Sequence, residues 1–144
     1  MISIRKAEEK DLNQIYIIEV LSFKNPYPKY LFNAFLNNPF ILFLVCLINE
    51  KIIGYIVASK NNSGHIISLA VHPKFRRKGV GSILLEEALK SMKNEGISLV
   101  KLEVNENNNS AINFYKKHGF KILRKIKEYY EDGSNALLFY KRLK

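Results

Sequence analysis

The chain lacks tryptophan altogether and holds one cysteine, four prolines and seven glycines in 144 residues. A single thiol, Cys46, excludes an internal disulfide, and its place in the apolar run Phe40 to Ile48 predicts burial as a small hydrophobe. That run falls well short of the roughly 20 residues a membrane-spanning helix needs. The N-terminus, Met1-Ile2-Ser3-Ile4-Arg5-Lys6, lacks the apolar segment of a signal peptide. These absences predict a soluble, cytoplasmic protein without a membrane partner. His65, His72 and His118 show no ligand spacing, so no metal is expected. Acidic side chains are also scarce, 13 against 23 basic ones, for a net charge of +10. The surplus favours anionic partners: a phosphorylated cofactor, an acidic polypeptide, RNA or an anionic lipid surface. Charge alone does not choose among them. No RNP-type aromatic motif or zinc-knuckle spacing is present, so nucleic acid is not a required partner.

What is present suffices for one domain spanning 1–144, since 47% of the residues are apolar and no composition shift marks a linker. Ile2 to Ala7 reads as a short strand. Glu8 to Leu21 follows with helical spacing of Leu12, Ile15, Tyr16 and Val20, which puts Glu19 on the opposite side. Asn25-Pro26-Tyr27-Pro28 interrupts that helix, and a second runs from Lys29 to about Asn37. Phe40–Ile48 and Ile52–Lys60 read as a β-hairpin, and Asn61-Asn62-Ser63-Gly64 turns into a third strand of it, His65–Val71. In Val80–Asn94, Leu84, Leu85, Ala88, Leu89 and Met92 form an apolar face, closed by Gly96. Leu99–Val104 is a strand. Asn107 or Asn108 caps a helix through Lys117, which Gly119 stops. Phe120–Tyr129 and Ala136–Arg142 pair as the last strands. The order βααβββαβαββ predicts a mixed α/β sheet.

One loop carries chemistry. Arg76-Arg77-Lys78-Gly79-Val80-Gly81 lies between a strand and the N-terminus of the best-defined helix, where backbone N–H groups are unpaired and the helix dipole is positive. Gly79 and Gly81 leave room for a phosphate to approach those groups, and the three basic side chains add charge. The spacing Arg-x-x-Gly-x-Gly alone also fits a plain solvated helix entry. It does not match a P-loop, which ends in Gly-Lys-Ser/Thr, or the G-x-G-x-x-G of a dinucleotide fold.

The wider passage Ser68-Leu69-Ala70-Val71-His72-Pro73, the loop, and then Ser82-Ile83-Leu84-Leu85 resembles the acetyl-CoA signature of the GNAT family of N-acetyltransferases. A second block, Leu102-Glu103-Val104 with Asn108, Ala111-Ile112, Tyr115 and Gly119-Phe120, is similar to the protein N-terminal acetyltransferases of that family. These include the ribosomal-protein alanine acetyltransferases and the archaeal and eukaryotic N-alpha catalytic subunits. The resemblance implies a fourth and a fifth strand that splay apart. It also implies acetyl-CoA as cosubstrate, held by the backbone of Leu69, Ala70 and Val71, by the loop Arg76 to Ser82, and by Asn108. Asn108 can equally cap its helix. Glu103 falls where relatives place a carboxylate that takes the proton of the amine, and Tyr115 where a tyrosine protonates the leaving thiolate. The plainer alternatives are a strand carboxylate paired with lysine and a core aromatic. Asn105 departs from relatives that carry arginine there.

Phe23-Lys24-Asn25-Pro26-Tyr27 resembles the loop lining the peptide entrance in those enzymes, and Tyr129-Tyr130 resembles the facing wall. Phe23, Pro26, Tyr27, Ser68, Tyr129 and Tyr130 are therefore the expected acceptor contacts, although strand aromatics are common for structural reasons. The implied acceptors are protein or peptide N-termini, with ribosomal proteins or nascent chains as partners. A small-amine acetyltransferase and a non-catalytic coenzyme A- or nucleic-acid-binding module are the alternatives.

Overall fold

The computed structural model describes residues 1–144, with elements β1 (Ile2–Lys6), α1 (Leu12–Ser22), α2 (Lys29–Leu36), β2 (Ile41–Ile48), β3 (Lys51–Lys60), β4 (Gly64–Val71), α3 (Val80–Asn94), β5 (Leu99–Asn105), α4 (Asn109–Lys117), β6 (Lys121–Ile126) and β7 (Ala136–Arg142). The order is the one the residue pattern predicts. All seven strands join one mixed sheet in the order β1-β2-β3-β4-β5-β7-β6. Its first four strands pair antiparallel in sequence order, β2–β3 and β3–β4 through short turns and β1–β2 across the two helices α1 and α2. No helix is long and apolar enough to cross a membrane.

Alternation along the strands gives the sheet two covered faces. On one, the apolar stripe of α3 packs with Val100, Leu102 and Val104 of β5, Tyr115 of α4 and Phe139 of β7 in the larger core. On the other, Leu12, Ile15 and Ile18 of α1 and Phe32 of α2 cover Phe43, Val45, Tyr55 and Val57 in the smaller one. Cys46 is fully buried. Gly96 and Gly119 follow α3 and α4 with φ of 86° and 87°, a left-handed conformation that ends a helix and favours glycine.

Three expectations need correction. In α1, Ile18 and Glu19 are buried while Val20 is 47% exposed, so Glu19 lies on the inward stripe. The first predicted turn of that helix is instead a short 3-10 turn, Glu9–Asp11, where the Asp11 carboxylate accepts the Glu8 N–H at 2.8 Å and the Arg5 guanidinium at 2.6 and 2.9 Å. The sixth strand stops at Ile126 rather than Tyr129. Glu128 turns left-handed (φ 51°) and donates its N–H to Asn135, and Gly133 N–H bonds the Tyr130 carbonyl, so Tyr129 and Tyr130 sit in a closed loop.

The decisive feature is where the sheet fails to pair. β4 and β5 run parallel but share only the rungs Gly64–Val100 and His65–Lys101. A β-bulge lies just beyond: Ala58 of β3 faces Ile66 and Val57 faces Ser68, which leaves Ile67 without a partner. Bulges bend a strand and increase its twist, so β4 leaves β5 after the second rung. Gly64 lets the rungs form, because a Cβ there would lie 2.6 Å from Met92 Sδ and 3.1 Å from Val100.

Candidate active site

Beyond His65, the backbone groups of β4 that point away from β3 have no strand to bond, and the same holds for β5 beyond Lys101 on its β4 side. The sheet is thus slotted through. Because successive β5 residues face opposite sides, Leu102 and Val104 belong to the core under α3 and α4, whereas Glu103 points to the side of α1 and α2. A ligand held on the α3 side and one held on the α1–α2 side can meet in this slot.

On the α3 side, Gly79 is the N-cap residue in left-handed conformation (φ 81°, ψ 7°), and Arg77 is also left-handed at φ 62°. A left-handed residue leading into a helix gathers successive N–H groups into an anion-binding concavity. Open space surrounds the place where a Gly79 side chain would be, and a Cβ on Gly81 would only touch the Phe114 ring at 3.5 Å. The Val80 side chain is buried, which leaves its backbone as the part available to a ligand. Lys78 lies over the Phe75 ring, 5.7 Å from its centroid. Arg76 is more tied down than its position in the motif suggests: its guanidinium donates to the Val71 carbonyl and to Ser22, bracing the loop against β4 and α1. Ser82 Oγ meets His118 Nε2 at 2.8 Å, and His118 Nδ1 meets Glu86 at 2.5 Å, which fastens α3 to the end of α4. Asn108 caps α4 by accepting the Ala111 N–H at 3.1 Å.

The other face of the slot is aromatic. Tyr27 comes from the α1–α2 loop, and Tyr129 and Tyr130 come from the β6–β7 loop, their rings 4.9 Å apart and nearly perpendicular. Burial raises the Tyr27 hydroxyl pKa, aided by the charges of Glu19 and Glu103. Burial likewise raises Tyr129, with Glu103 and Tyr27 adding to it. Tyr130 is pushed up to about 12 by burial, Tyr129, Glu103 and Tyr27. Three phenols therefore lie within electrostatic reach of Glu103, and all stay protonated near neutral pH. Glu103 reaches across the slot to His65, with Oε1 2.7 Å from Nε2.

Phe23 and Pro26 lie in the same loop as Tyr27, with Phe23 39% exposed and Pro26 half-buried. Ser68 is placed differently from the other expected acceptor contacts. It is 6% exposed, and its hydroxyl is engaged by Glu19 and Tyr55 beneath the slot. Tyr115 is 9% exposed and packs against Phe114, Phe120 and Phe139. Burial raises its pKa well above the ordinary phenol range. No protein group bonds its hydroxyl, and no sealed side-chain polar atom in the chain lacks a partner, so this oxygen is accessible from outside.

Residues 12–120 match the model of the acetyltransferase (GNAT) family. The chain belongs to that family. This acetyltransferase is 35% identical to the N-alpha-acetyltransferase of Saccharolobus solfataricus over 94% of its own length and 90% of the relative's. Its fold superposes on the crystal structure of Ard1 from Thermoplasma volcanium with a TM-score of 0.93 at 33% identity, covering 99% and 98% of the two chains. The ribosomal-protein-alanine N-acetyltransferase of Escherichia coli gives 0.91 at 25% identity, covering 99% and 94%.

Two residues of the acetyltransferase's slot escape a reading of its sequence. Glu19, 1% exposed, accepts the Tyr27 N–H at 3.0 Å through one oxygen, and the Tyr55 and Ser68 hydroxyls through the other. The signal was available, since Leu12, Ile15 and Glu19 are spaced i, i+3, i+7 and so share one stripe. His65 carried no such signal. Its contact with Glu103 depends on the register of two parallel strands and on the slot between them.

Proposed function

We propose that this N-acetyltransferase moves the acetyl group of acetyl-CoA to the α-amine at a protein N-terminus. One observation carries this reading: the Glu103 carboxylate lies within electrostatic reach of Tyr27, Tyr129 and Tyr130, on the face of the slot opposite the anion-binding loop. A slot walled by Tyr27 on one side and Tyr129 and Tyr130 on the other suits an extended peptide end. The relative in Saccharolobus solfataricus is itself named an N-alpha-acetyltransferase. Ribosomal proteins and nascent chains are the acceptors that meet this description.

The open glycine cradle at Gly79 and Gly81 and the unpaired β4 backbone fit the diphosphate and pantetheine arm of acetyl-CoA, with Ser82 and Asn108 beside them. On the acceptor side, Glu103 takes a proton from the α-ammonium and passes it to solvent. An α-amine has a pKa near 8, so only modest assistance is needed. The freed nitrogen bonds the thioester carbon, and backbone N–H groups of Leu69 to Val71 steady the oxyanion. When the C–S bond breaks, the Tyr115 hydroxyl protonates sulfur. The proton shed by the new amide nitrogen restores Tyr115. One proton is released overall.

Incubation with acetyl-CoA and a panel of N-terminal peptides, lysine side-chain peptides and polyamines tests the proposal. Transfer to free N-termini, with at least tenfold weaker transfer to the others, is expected. Preference for polyamines or internal lysines overturns it. The two loop glycines provide a second check. Gly81→Ala meets only ordinary contacts, so thermal stability is expected to hold while the Michaelis constant for acetyl-CoA rises. Gly79→Ala forces alanine into a left-handed conformation at a cost of about 1–2 kcal/mol, and a fall of several degrees in melting temperature is expected.

A further inference from the structure

The far end of α3 carries a feature that acetyl transfer does not use. The end of that helix and the C-terminal strand β7 border an open groove of about 440 Å³ whose walls include Lys90, Lys93, Lys141, Arg142 and Lys144. None of the five forms an ion pair. The one side-chain carboxylate of the groove, Glu86, is held by His118 Nδ1. Lys141 is fixed by donating to the His118 carbonyl at 2.6 Å. Five uncompensated cations gathered round one hollow repel one another, and within a Debye length of about 8–10 Å salt relieves this only in part. An anionic ligand would relieve it fully.

The cations of this hollow stand away from the acetyl-CoA cradle: at 1.5 Å per residue, Lys90 and Lys93 lie about 16 and 20 Å along α3 from Gly79, while the near wall at Glu86 is about 10 Å from it. Its location also argues against a compact phosphate ligand, because a helix C-terminus offers carbonyls rather than free N–H groups. A lipid surface is poorly served, since the two leucines of the wall, Leu89 and Leu143, pack against the core and no large exposed apolar side chain lines the groove. What fits is a chain of spaced negative charges met by long, mobile cations.

We propose that this groove binds the phosphodiester backbone of a nucleic acid, independently of the acetyl-transfer slot. Binding of the whole protein to a labelled 20-nucleotide mixed-sequence RNA, followed by fluorescence anisotropy, tests it. Duplex RNA and duplex DNA form parallel arms that distinguish the sources of backbone. With about four phosphates engaged on a single strand, raising salt from about 50 to 200 mM should weaken binding about 50-fold. At fixed salt, K90E/K93E/K144E should lose at least about tenfold in affinity. The charge-matched K6E/K10E/K29E, on the other side of the molecule, should lose less than about threefold. Both variants should acetylate a short peptide at the parent rate, which also shows that they fold. Equal loss in the two variants would reduce the effect to net charge and overturn the proposal. So would an absence of binding to any nucleic acid, or groove-dependent binding to phosphatidylserine vesicles in its place.

Discussion

Glu103→Gln is expected to lower kcat/KM for an N-terminal peptide by about 10²–10⁴-fold near neutral pH, the usual contribution of a positioned general base. Glutamine keeps the size of the side chain and can still accept a bond from His65 Nε2, so the bridge across the slot survives while the proton acceptor is lost. The pH profile separates loss of the base from loss of geometry. Near pH 7 most α-amines are protonated; by about pH 9, above their pKa near 8, most are neutral without help. The deficit of the variant should therefore shrink as pH rises, because solvent supplies the free amine that Glu103 otherwise generates. A deficit unchanged from pH 7 to 9 would make Glu103 a structural link to His65. Activity within threefold of the parent at pH 7 would remove it from the mechanism.

Glu19→Ala should produce the largest loss of stability in the acceptor half. Three donors converge on that carboxyl group, the Tyr27 N–H and the hydroxyls of Tyr55 and Ser68, and Tyr55 is itself fully buried. Removing the shared acceptor leaves several groups unsatisfied at about 1–3 kcal/mol each, or roughly 3–5 kcal/mol after relaxation. At about 3 °C per kcal/mol for a chain of this size, the melting temperature should fall by roughly 10–15 °C. Glu19→Gln retains an acceptor oxygen and should cost far less. It should still raise the Michaelis constant for peptide, because the Tyr27 segment is pinned less firmly, while that for acetyl-CoA stays constant. Equal shifts in both constants would show that Glu19 merely supports the fold.

The parts of this molecule that could be read from sequence are those governed by local rules. The α3 face follows from helical spacing, Asn108 from capping chemistry, and Gly96 and Gly119 from the left-handed conformations that helix ends require. Where several elements meet, local rules fail. Glu19 looked like a solvent-facing acid because helical carboxylates usually are, yet its spacing from Leu12 and Ile15 placed it inside, where hydroxyls on β3 and β4 receive it. The His65–Glu103 contact needs a strand register that residue order does not specify. Arg76 carries the expected charge, but a neighbouring carbonyl and Ser22 redirect it. The β6–β7 loop closes early because Glu128 accepts an unfavourable φ in return for the Asn135 bond.

The two rungs joining β4 to β5 also bear on how the chain assembles. β2, β3 and β4 follow one another through short turns, so this meander needs only short loop closures and can form while later residues are still being synthesised, and β1 joins it by closing over α1 and α2. β5 must then dock beside β4 across the intervening α3, with just Gly64 and His65 to receive it. The docking of these two halves should be the late step of folding. A bulky side chain at Gly64 would strike Met92 at that junction, slowing the last step while leaving the early meander free to form.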